Sequence, residues 1–324
     1  MEIERKKLGR TDISLTTLGV GGYLGALEDP QAGDGECEAA AVAAVRRAVD
    51  LGIRYFDTSP GYGKAERHLG LGLRELSTGE RAELTVSTKV GTHPQRPQQY
   101  DADSVRWSLD RSLELLFCNR VDIVFVHDPN SDDHMDQILA PGGAVDALEE
   151  LKQQGAIRAI GLGVRNHRFL RRAVDSGRFD AILPSYDYHP LRTTALPVME
   201  LADSRGMGVV NGSPYNAGLL AGIDLNVAAK RRPPREADLV RARKLWEFCR
   251  ERSIDLGVLA VQFSLRCAAV HATLVGPRTA GEVEENIRHS TTGLPPDTWE
   301  DLDAFVADLQ PVAAPGGESA PTHA

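Results

Sequence analysis

Four polar side chains in the first half of the chain are of the types that proton transfer requires. Asp57 follows the short apolar run Ile53–Phe56, and Tyr62 lies just beyond it in a turn rich in glycine and proline. Lys89 and His127 each end a further apolar run. Any one of them could be a loop residue, a cap or a satisfied core imidazole. Together, behind three neighbouring strands, they indicate acid–base chemistry, because such groups act from loops that a rigid scaffold positions.

The chemistry of each side chain suggests its role. A free tyrosine has a pKa of about 10, which is too high for an efficient base near neutral pH. Lys89 could supply the cation that favours the phenolate of Tyr62, and Asp57 could hold that ammonium group in place. His127 could donate a hydrogen bond to a substrate oxygen. No spacing of histidine, cysteine or carboxylate residues predicts a metal site.

The elements that must position these residues alternate along the chain. Eight apolar runs predict strands over Leu18–Gly21, Tyr55–Asp57, Leu84–Lys89, Val121–Val126, Ile157–Val164, Ala181–Leu183, Met207–Val210 and Thr273–Val275. Amphipathic stretches predict helices over Ala39–Leu51, Ala65–Leu76, Ser104–Leu116, Val145–Gln154, Phe169–Ser176 and Pro197–Arg205. This order predicts an α/β protein with a parallel sheet, and eight repeats predict closure into a (β/α)8 TIM barrel. A doubly wound open sheet is the alternative.

The remaining segments complete a single domain over residues 1–310. Ile3–Leu8 is expected to pair with Ile13–Thr16 as a β-hairpin that caps one end of the barrel. A long loop is predicted after strand seven, over residues 212–237, with helices Leu239–Arg252 and Trp299–Leu309 beyond it. The tail 311–324 has little to bury and is expected to be disordered.

Composition narrows the class of protein. No apolar run approaches the roughly 20 residues of a membrane span, so the sequence predicts no membrane segment. The start has no apolar stretch behind its charges, which leads us to expect a cytoplasmic protein. The net charge of −9 disfavours a nucleic-acid partner. The four cysteines are far apart in sequence and are expected to be reduced.

These motifs resemble the aldo-keto reductase superfamily over almost all of residues 5–310. The resemblance rests on the segment from Gly52 to Gly70, on Val-Ser-Thr-Lys89-Val, on Asp122 to His127, and on Gly276 to Asn286. It implies a catalytic tetrad of Asp57, Tyr62, Lys89 and His127. Residues 127–129 and 211–220 are similar to the branch of sugar 1-dehydrogenases, which oxidises L-galactose, L-fucose or D-threo-aldoses and includes a pyridoxal dehydrogenase.

The resemblance also implies a nicotinamide cofactor. No Gly-x-Gly-x-x-Gly follows a strand, so a Rossmann site is not predicted. The carboxamide is expected on Asn166, with Ser185 where the family has a glutamine and Arg165 where it has a serine. The aromatic residue that often covers the nicotinamide ring aligns with Gly212, which leaves the ring face to another group such as Tyr186 or Tyr215.

The same alignment places the rest of the dinucleotide. Ser213, Leu219 and Gly222 are expected along the pyrophosphate, and Glu285 and Asn286 at the adenine. The lysine and arginine that bind a 2′-phosphate in other members align with two residues that cannot do so, Gly276 and Glu282. NAD is therefore the expected cofactor. NADP is possible, because the Arg278 guanidinium could reach a 2′-phosphate.

The expected substrate is a small carbonyl or polyol compound contacted by Tyr23, Asp128 and Tyr186. Three alternatives to a sugar dehydrogenase are an NADPH-dependent aldehyde or ketone reductase of a biosynthetic pathway, a regulatory subunit that only binds nicotinamide, and a barrel hydrolase. A hydrolase would need a Gly-x-Ser-x-Gly turn, a metal-ligand set or a carboxylate pair, none of which the sequence indicates. The complete set of four residues favours an enzyme over a binding subunit.

Overall fold

Short strands and longer helices alternate along this protein. The computed structural model describes residues 3–27, 31–231 and 234–308. Within these residues the strands are β1 (Arg5–Lys7), β2 (Ser14–Thr16), β3 (Leu18–Val20), β4 (Tyr55–Asp57), β5 (Thr85–Val90), β6 (Thr92–His93), β7 (Arg96–Pro97), β8 (Ile123–His127), β9 (Ala159–Gly163), β10 (Ala181–Leu183), β11 (Gly208–Gly212) and β12 (Ala272–Val275). The helices are α1 (Asp34–Asp50), α2 (Ala65–Arg74), α3 (Thr78–Ala82), α4 (Ala102–Leu116), α5 (Asp132–Leu139), α6 (Ala144–Gln153), α7 (His167–Ser176), α8 (Leu196–Ser204), α9 (Leu225–Arg231), α10 (Glu236–Glu251), α11 (Leu256–Leu265), α12 (Ala280–Thr291) and α13 (Asp297–Asp308).

Eight of these strands close into a parallel barrel. Their order is β3, β4, β5, β8, β9, β10, β11 and β12, and β12 pairs with β3. Each of the eight overlaps one predicted strand, so the (β/α)8 prediction is confirmed and the open-sheet alternative is wrong. Every residue of β8 is buried, as expected of a parallel sheet that helices cover.

Side chains fill the interior of the barrel. The Phe125 ring faces Gly161 on the next strand, where an added Cβ would lie 2.3 Å from the ring. Three apolar side chains of the N-terminal hairpin belong to the same interior cluster: Leu8, Ile13 and Leu15. The Arg10 N–H donates to the carbonyl of Gly206, just before β11 begins. The hairpin of β1 and β2 therefore closes the barrel at the end where its strands start, which confirms the predicted cap.

The segment after β11 contains a helix that the sequence analysis did not predict. Within residues 212–237 the chain forms helix α9, and α10 already begins at Glu236. The Asp224 carboxylate accepts hydrogen bonds from the N–H groups of Asn226 and Val227. An aspartate there satisfies the N–H groups that the first turn of a helix leaves unpaired, so the long connection predicted after strand seven contains a short helix.

Four other helices were not predicted, namely α3, α5, α11 and α12. In α11 the residues from Leu256 to Val261 are all buried, so the helix lacks the amphipathic period that reveals helices in a sequence. The predicted tail, residues 311–324, and Leu309 of the last predicted helix lie outside the described residues. No described helix is long and apolar enough to cross a membrane. The four cysteines are free thiols.

Candidate active site

The register of β4, β5 and β8 brings three of the four predicted residues together. Asp57 lies opposite Ser87, and Lys89 lies opposite Phe125. Because side chains alternate along a strand, Lys89 shares a face with Ser87, and His127 shares a face with Phe125. All three groups therefore meet inside the barrel at the carboxyl ends of the strands.

Asp57 and Lys89 form a buried ion pair. The Lys89 Nζ donates to the Asp57 Oδ2 at 2.5 Å and to the carbonyl of Thr58 at 2.9 Å. The Ser87 hydroxyl donates to the other carboxylate oxygen at 2.6 Å. The lysine and aspartate side chains are only 1% and 3% exposed. Loss of either partner would leave the other charge buried and uncompensated, which is costly in a protein interior.

Tyr62 lies above this pair in the turn that leaves β4. The Lys89 Nζ is 4.8 Å from the centroid of the Tyr62 ring, and the Tyr23 ring is 5.0 Å from it on another side. The backbone of the turn is fixed because the Tyr62 N–H donates to the carbonyl of Ser59 at 3.0 Å. No hydrogen bond to the Tyr62 hydroxyl comes from the described residues, so this group is available to a ligand.

The electrostatics of Tyr62 differ from the sequence-based expectation. Burial raises the pKa of Tyr62 well above its ordinary value, and the Asp57 carboxylate raises it further. We had expected Lys89 to favour the phenolate. In the structure the Lys89 ammonium is paired with Asp57, whose carboxylate disfavours the phenolate of Tyr62. Tyr62 is therefore a neutral phenol in the protein alone.

His127 completes the group of four. Its Nδ1 lies 2.8 Å from the Thr92 hydroxyl, and its Nε2 lies 3.3 Å from the Asp128 carboxylate. Burial lowers the pKa of His127, and the Lys89 charge opposes protonation as well. The imidazole is thus neutral at neutral pH. If Thr92 donates to Nδ1, the proton is on Nε2, on the side of the ring that lies near Asp128.

One part of the site was missed in the sequence analysis. Strands β6 and β7 form a two-stranded hairpin directly after β5, and this hairpin carries the Thr92 that contacts His127. Its other strand is held by Trp107 of α4, since the Arg96 guanidinium lies 4.4 Å from the indole centroid. Strands of two residues are too short to show an alternation of apolar and polar residues in the sequence. Only the run of turn residues from Gly91 to Pro97 could have indicated a hairpin.

The groups expected around a cofactor follow β9, β10 and β11. Asn166 begins α7, and its Oδ1 accepts the Arg168 N–H at 3.0 Å. The amide NH2 of Asn166 therefore remains as a donor for a nicotinamide carboxamide. Ser185 pairs through its backbone with Gly212, so the ends of β10 and β11 remain in register beyond the barrel.

Backbone strain is concentrated in this region. Positive φ angles occur at Asp128 (45°), Tyr186 (62°) and Ser213 (60°), which are not glycines. Gly222 also has φ of 86°, and an added Cβ there would lie 3.0 Å from the Asp255 carboxylate. Left-handed conformations of ordinary residues are uncommon and are typical of ligand-binding loops. All four positions are predicted contacts of substrate or cofactor.

A chain of hydrogen bonds joins the segment after β11 to helix α12. Arg288 Nη2 lies 2.8 Å from His289 Nε2, and His289 Nδ1 lies 2.7 Å from the Tyr215 hydroxyl. Tyr215 then donates to the Asn286 Oδ1 at 2.8 Å. Because an arginine can only donate, His289 must carry its proton on Nδ1. This fixes the Asn286 amide so that its NH2 remains the donor available to a ligand.

The same series of hydrogen bonds fixes the position of the Tyr215 side chain. Its hydroxyl is held by Asn286 and His289 of α12. This contact favours Tyr186 over Tyr215 as the residue that covers the nicotinamide ring, a choice that the sequence left open. Leu219, which lies in the same segment, is buried and can offer a ligand only its backbone.

Arg278 and Glu282, which follow β12, form an ion pair. The Arg278 N–H donates to a Glu282 oxygen at 2.6 Å, and the Arg278 Nε lies 3.7 Å from the other oxygen. Gly276 is exposed, and a Cβ on Gly22 would lie 3.7 Å from the Gly276 Cα. These two glycines leave backbone open to a ligand. Together with the donors on Asn166 and Asn286, they fit an extended dinucleotide.

Comparison with known proteins agrees with this geometry. Residues 24–307 match the Aldo/keto reductase family. The chain is 32% identical to L-galactose dehydrogenase of Arabidopsis thaliana, over 98% of each chain. It is 31% identical to pyridoxal 4-dehydrogenase of Microbacterium luteolum, covering 92% of this chain and 96% of that protein. It is also 30% identical to D-threo-aldose 1-dehydrogenase of a Pseudomonas species, over 80% and 86%.

The chain therefore belongs to the aldo/keto reductase family. It is an NAD(P)-dependent oxidoreductase with a (β/α)8 barrel, as the resemblance implied.

Proposed function

We propose that this protein oxidises the C1 hydroxyl of an aldose with NAD⁺ as the acceptor, and that Tyr62 moves the proton. The observation that carries the proposal is the Tyr62 hydroxyl, which stands free above the buried Asp57–Lys89 pair and beside His127. The sugar class is supported by relatives that are named for L-galactose and for D-threo-aldoses.

Each residue of the candidate site has a separate role in the proposed reaction. His127 donates its Nε2 hydrogen bond to the substrate oxygen and orients it toward Tyr62. Tyr62 accepts the hydroxyl proton during oxidation and returns it during reduction. Lys89 stabilises the phenolate of Tyr62, and Asp57 holds Lys89 in place. When bound, NAD⁺ supplies the nicotinamide ring that takes up a hydride from the substrate carbon. Asn166 would hold the carboxamide of that ring, and Glu285 and Asn286 would contact the adenine.

Asp128 favours a polyol over a simple aldehyde. Its carboxylate is 56% exposed and lies 3.3 Å from the His127 Nε2. A carboxylate beside the reacting oxygen can accept hydrogen bonds from the hydroxyl on a neighbouring carbon. The Tyr23 ring, 39% exposed at the mouth, offers an apolar face to sugar C–H groups.

A substrate panel tests this function. We expect the protein to reduce NAD⁺ with at least one aldose, measured as absorbance of the reduced nicotinamide. Pyridoxal and aromatic aldehydes are assayed in both directions with each cofactor. Turnover only of aldehydes with NADPH would favour the biosynthetic reductase instead. Cofactor binding without turnover on any compound would favour the regulatory subunit.

Cofactor choice is a second expected result. The Glu282 carboxylate lies beside Arg278 and would repel a 2′-phosphate, whereas it can accept hydrogen bonds from free ribose hydroxyls. We expect NAD⁺ to bind tighter than NADP⁺ by about tenfold, or ~1.4 kcal/mol, measured by titration of both. Glu282→Gln should reduce the ratio of the NADP⁺ dissociation constant to the NAD⁺ dissociation constant.

The matched control is Glu284→Gln on the same helix. It removes the same charge, but Glu284 is paired with Arg47 on α1 at 2.7 Å, so it should leave the ratio unchanged. Tighter binding of NADP⁺ to the unmodified protein would mean that Arg278 outweighs Glu282 and that the NAD assignment is wrong.

A further inference from the structure

Gly212 has no side chain at the position where the resemblance implies an aromatic ring. Its N–H donates to the carbonyl of Pro184 at 2.9 Å. An added Cβ would lie 3.2 Å from a Leu183 methyl carbon and 3.3 Å from the Ser185 Cβ. Both contacts are tighter than ordinary packing, so a side chain at Gly212 would require Leu183 and Ser185 to shift by a few tenths of an ångström. A ring that covers the nicotinamide face would therefore have to come from another residue.

Tyr186 is in position to do so. It directly follows Ser185, the residue that bridges to Gly212, and its φ of 62° turns the chain out of the strand direction. Its ring is only partly buried. It lies close enough to Tyr62 that its phenolate would raise the pKa of Tyr62. This proximity places Tyr186 at the catalytic end of the site.

The strained backbone of Tyr186 is held by two donors. Its carbonyl accepts hydrogen bonds from the His189 Nε2 at 2.9 Å and from the Arg192 Nη1 at 3.1 Å. Asp187 and His189 are fully buried, and Arg192 is nearly so. A left-handed residue persists only where its surroundings fix it, and these contacts supply that restraint.

The next residue, Asp187, ties Tyr186 to the end of β9. Arg165 donates to both Asp187 oxygens, at 3.1 and 2.9 Å, and its guanidinium carbon lies 5.8 Å from the Tyr186 ring centroid. Burial opposes the charge on Asp187, but the nearby His167 ring, 3.2 Å away, and the hydrogen bonds from Arg165 hold its pKa at about 2. The ion pair is thus fully formed at neutral pH.

We propose that Tyr186 stacks on the nicotinamide ring in place of the side chain that Gly212 lacks, and that Asp187 and Arg165 are its positioning residues. The proposal rests on the function proposed above. It accounts for two departures from the family pattern together: the missing ring at Gly212 and the arginine in place of the serine before Asn166. Arg165 bridges from the strand that carries the carboxamide contact to the segment that carries the stacking ring.

The test compares NAD⁺ with ADP-ribose, which has the same adenine, riboses and pyrophosphate but no nicotinamide. Dissociation constants for both are measured with the full-length protein and with Tyr186→Ala and Tyr186→Phe. Removal of a stacked aromatic ring should weaken NAD⁺ about tenfold. We expect this in Tyr186→Ala, with ADP-ribose binding unchanged. Tyr186→Phe keeps the ring and should bind NAD⁺ as the unmodified protein does.

Asp187→Asn tests the positioning role. It should weaken NAD⁺ but not ADP-ribose, by a smaller factor than Tyr186→Ala, because the ring remains but is less well held. Equal weakening of both ligands in Tyr186→Ala would indicate general damage to the segment and would overturn the proposal, as would no weakening at all.

The outcome also separates this proposal from the proposed function. If the unmodified protein binds neither NAD⁺ nor ADP-ribose, both fail. If it binds NAD⁺ and oxidises a sugar while Tyr186→Ala keeps the full difference between the two ligands, only the stacking role of Tyr186 is wrong.

Discussion

Tyr62→Phe is expected to lower kcat by about a hundredfold or more while leaving the dissociation constant of NAD⁺ nearly unchanged. The substitution removes only the hydroxyl, which no described residue engages, and keeps the ring that packs against Tyr23 and over Lys89. The defect should therefore be confined to proton transfer. Steady-state kinetics on the best sugar of the panel, with a parallel titration of NAD⁺, measures both quantities.

The matched control is Tyr188→Phe, which removes a hydroxyl from a tyrosine buried against Phe263 and away from the site. It should leave kcat close to that of the unmodified protein. A Tyr62→Phe variant that kept near-normal kcat would contradict the role of Tyr62, whatever its effect on substrate affinity.

Lys89→Met is expected to lower the rate and to move the pH optimum of oxidation upward. Oxidation needs the phenolate, and the pKa of Tyr62 is already raised by burial and by Asp57. Without Lys89 the Asp57 carboxylate loses its counter-ion and raises that pKa further. The variant should also be less stable by about 3–5 kcal/mol, because Asp57 remains buried and unpaired. Rate profiles against pH and denaturant unfolding measure the two effects.

Asp57→Asn distinguishes electrostatics from structural damage. It breaks the same buried pair and should also lower stability. However, it removes the carboxylate that raises the pKa of Tyr62, so the rise of the oxidation rate with pH should occur at lower pH. Opposite shifts in the two variants are the expected result. Shifts in the same direction would mean that the Asp57–Lys89 pair does not tune Tyr62.

The barrel could be predicted from the sequence because its strands are continuous apolar runs. Ala181–Leu183 and Tyr55–Asp57 were predicted with the observed bounds, since both are buried throughout and bounded by polar or turn-forming residues. Helix α11 could not be predicted from periodicity, because most of its residues are buried and it has no separate polar face. Helix α9 was hidden in a segment whose glycines and prolines indicated a loop.

The sequence could name residues for a candidate site but not the contacts between them. Asp57 and Lys89 pair as their chemistry suggested. The charge balance at Tyr62 could not be anticipated, because it depends on how far each group is buried. Thr92 contacts His127, and Arg165 contacts Asp187. In both pairs the partner is distant in the sequence. Sequence spacing carries no information about such pairs when strand register and loop geometry decide them.

The N-terminal hairpin has a consequence for the order of events in turnover. With Leu8, Ile13 and Leu15 packed into the base of the barrel and side chains filling its interior, a ligand can approach the catalytic residues of the described part of the molecule only from the carboxyl ends of the strands. Substrate and dinucleotide would then arrive from the same side. Whichever of the two lies deeper would have to arrive first and depart last, so we expect the two exchanges to be sequential.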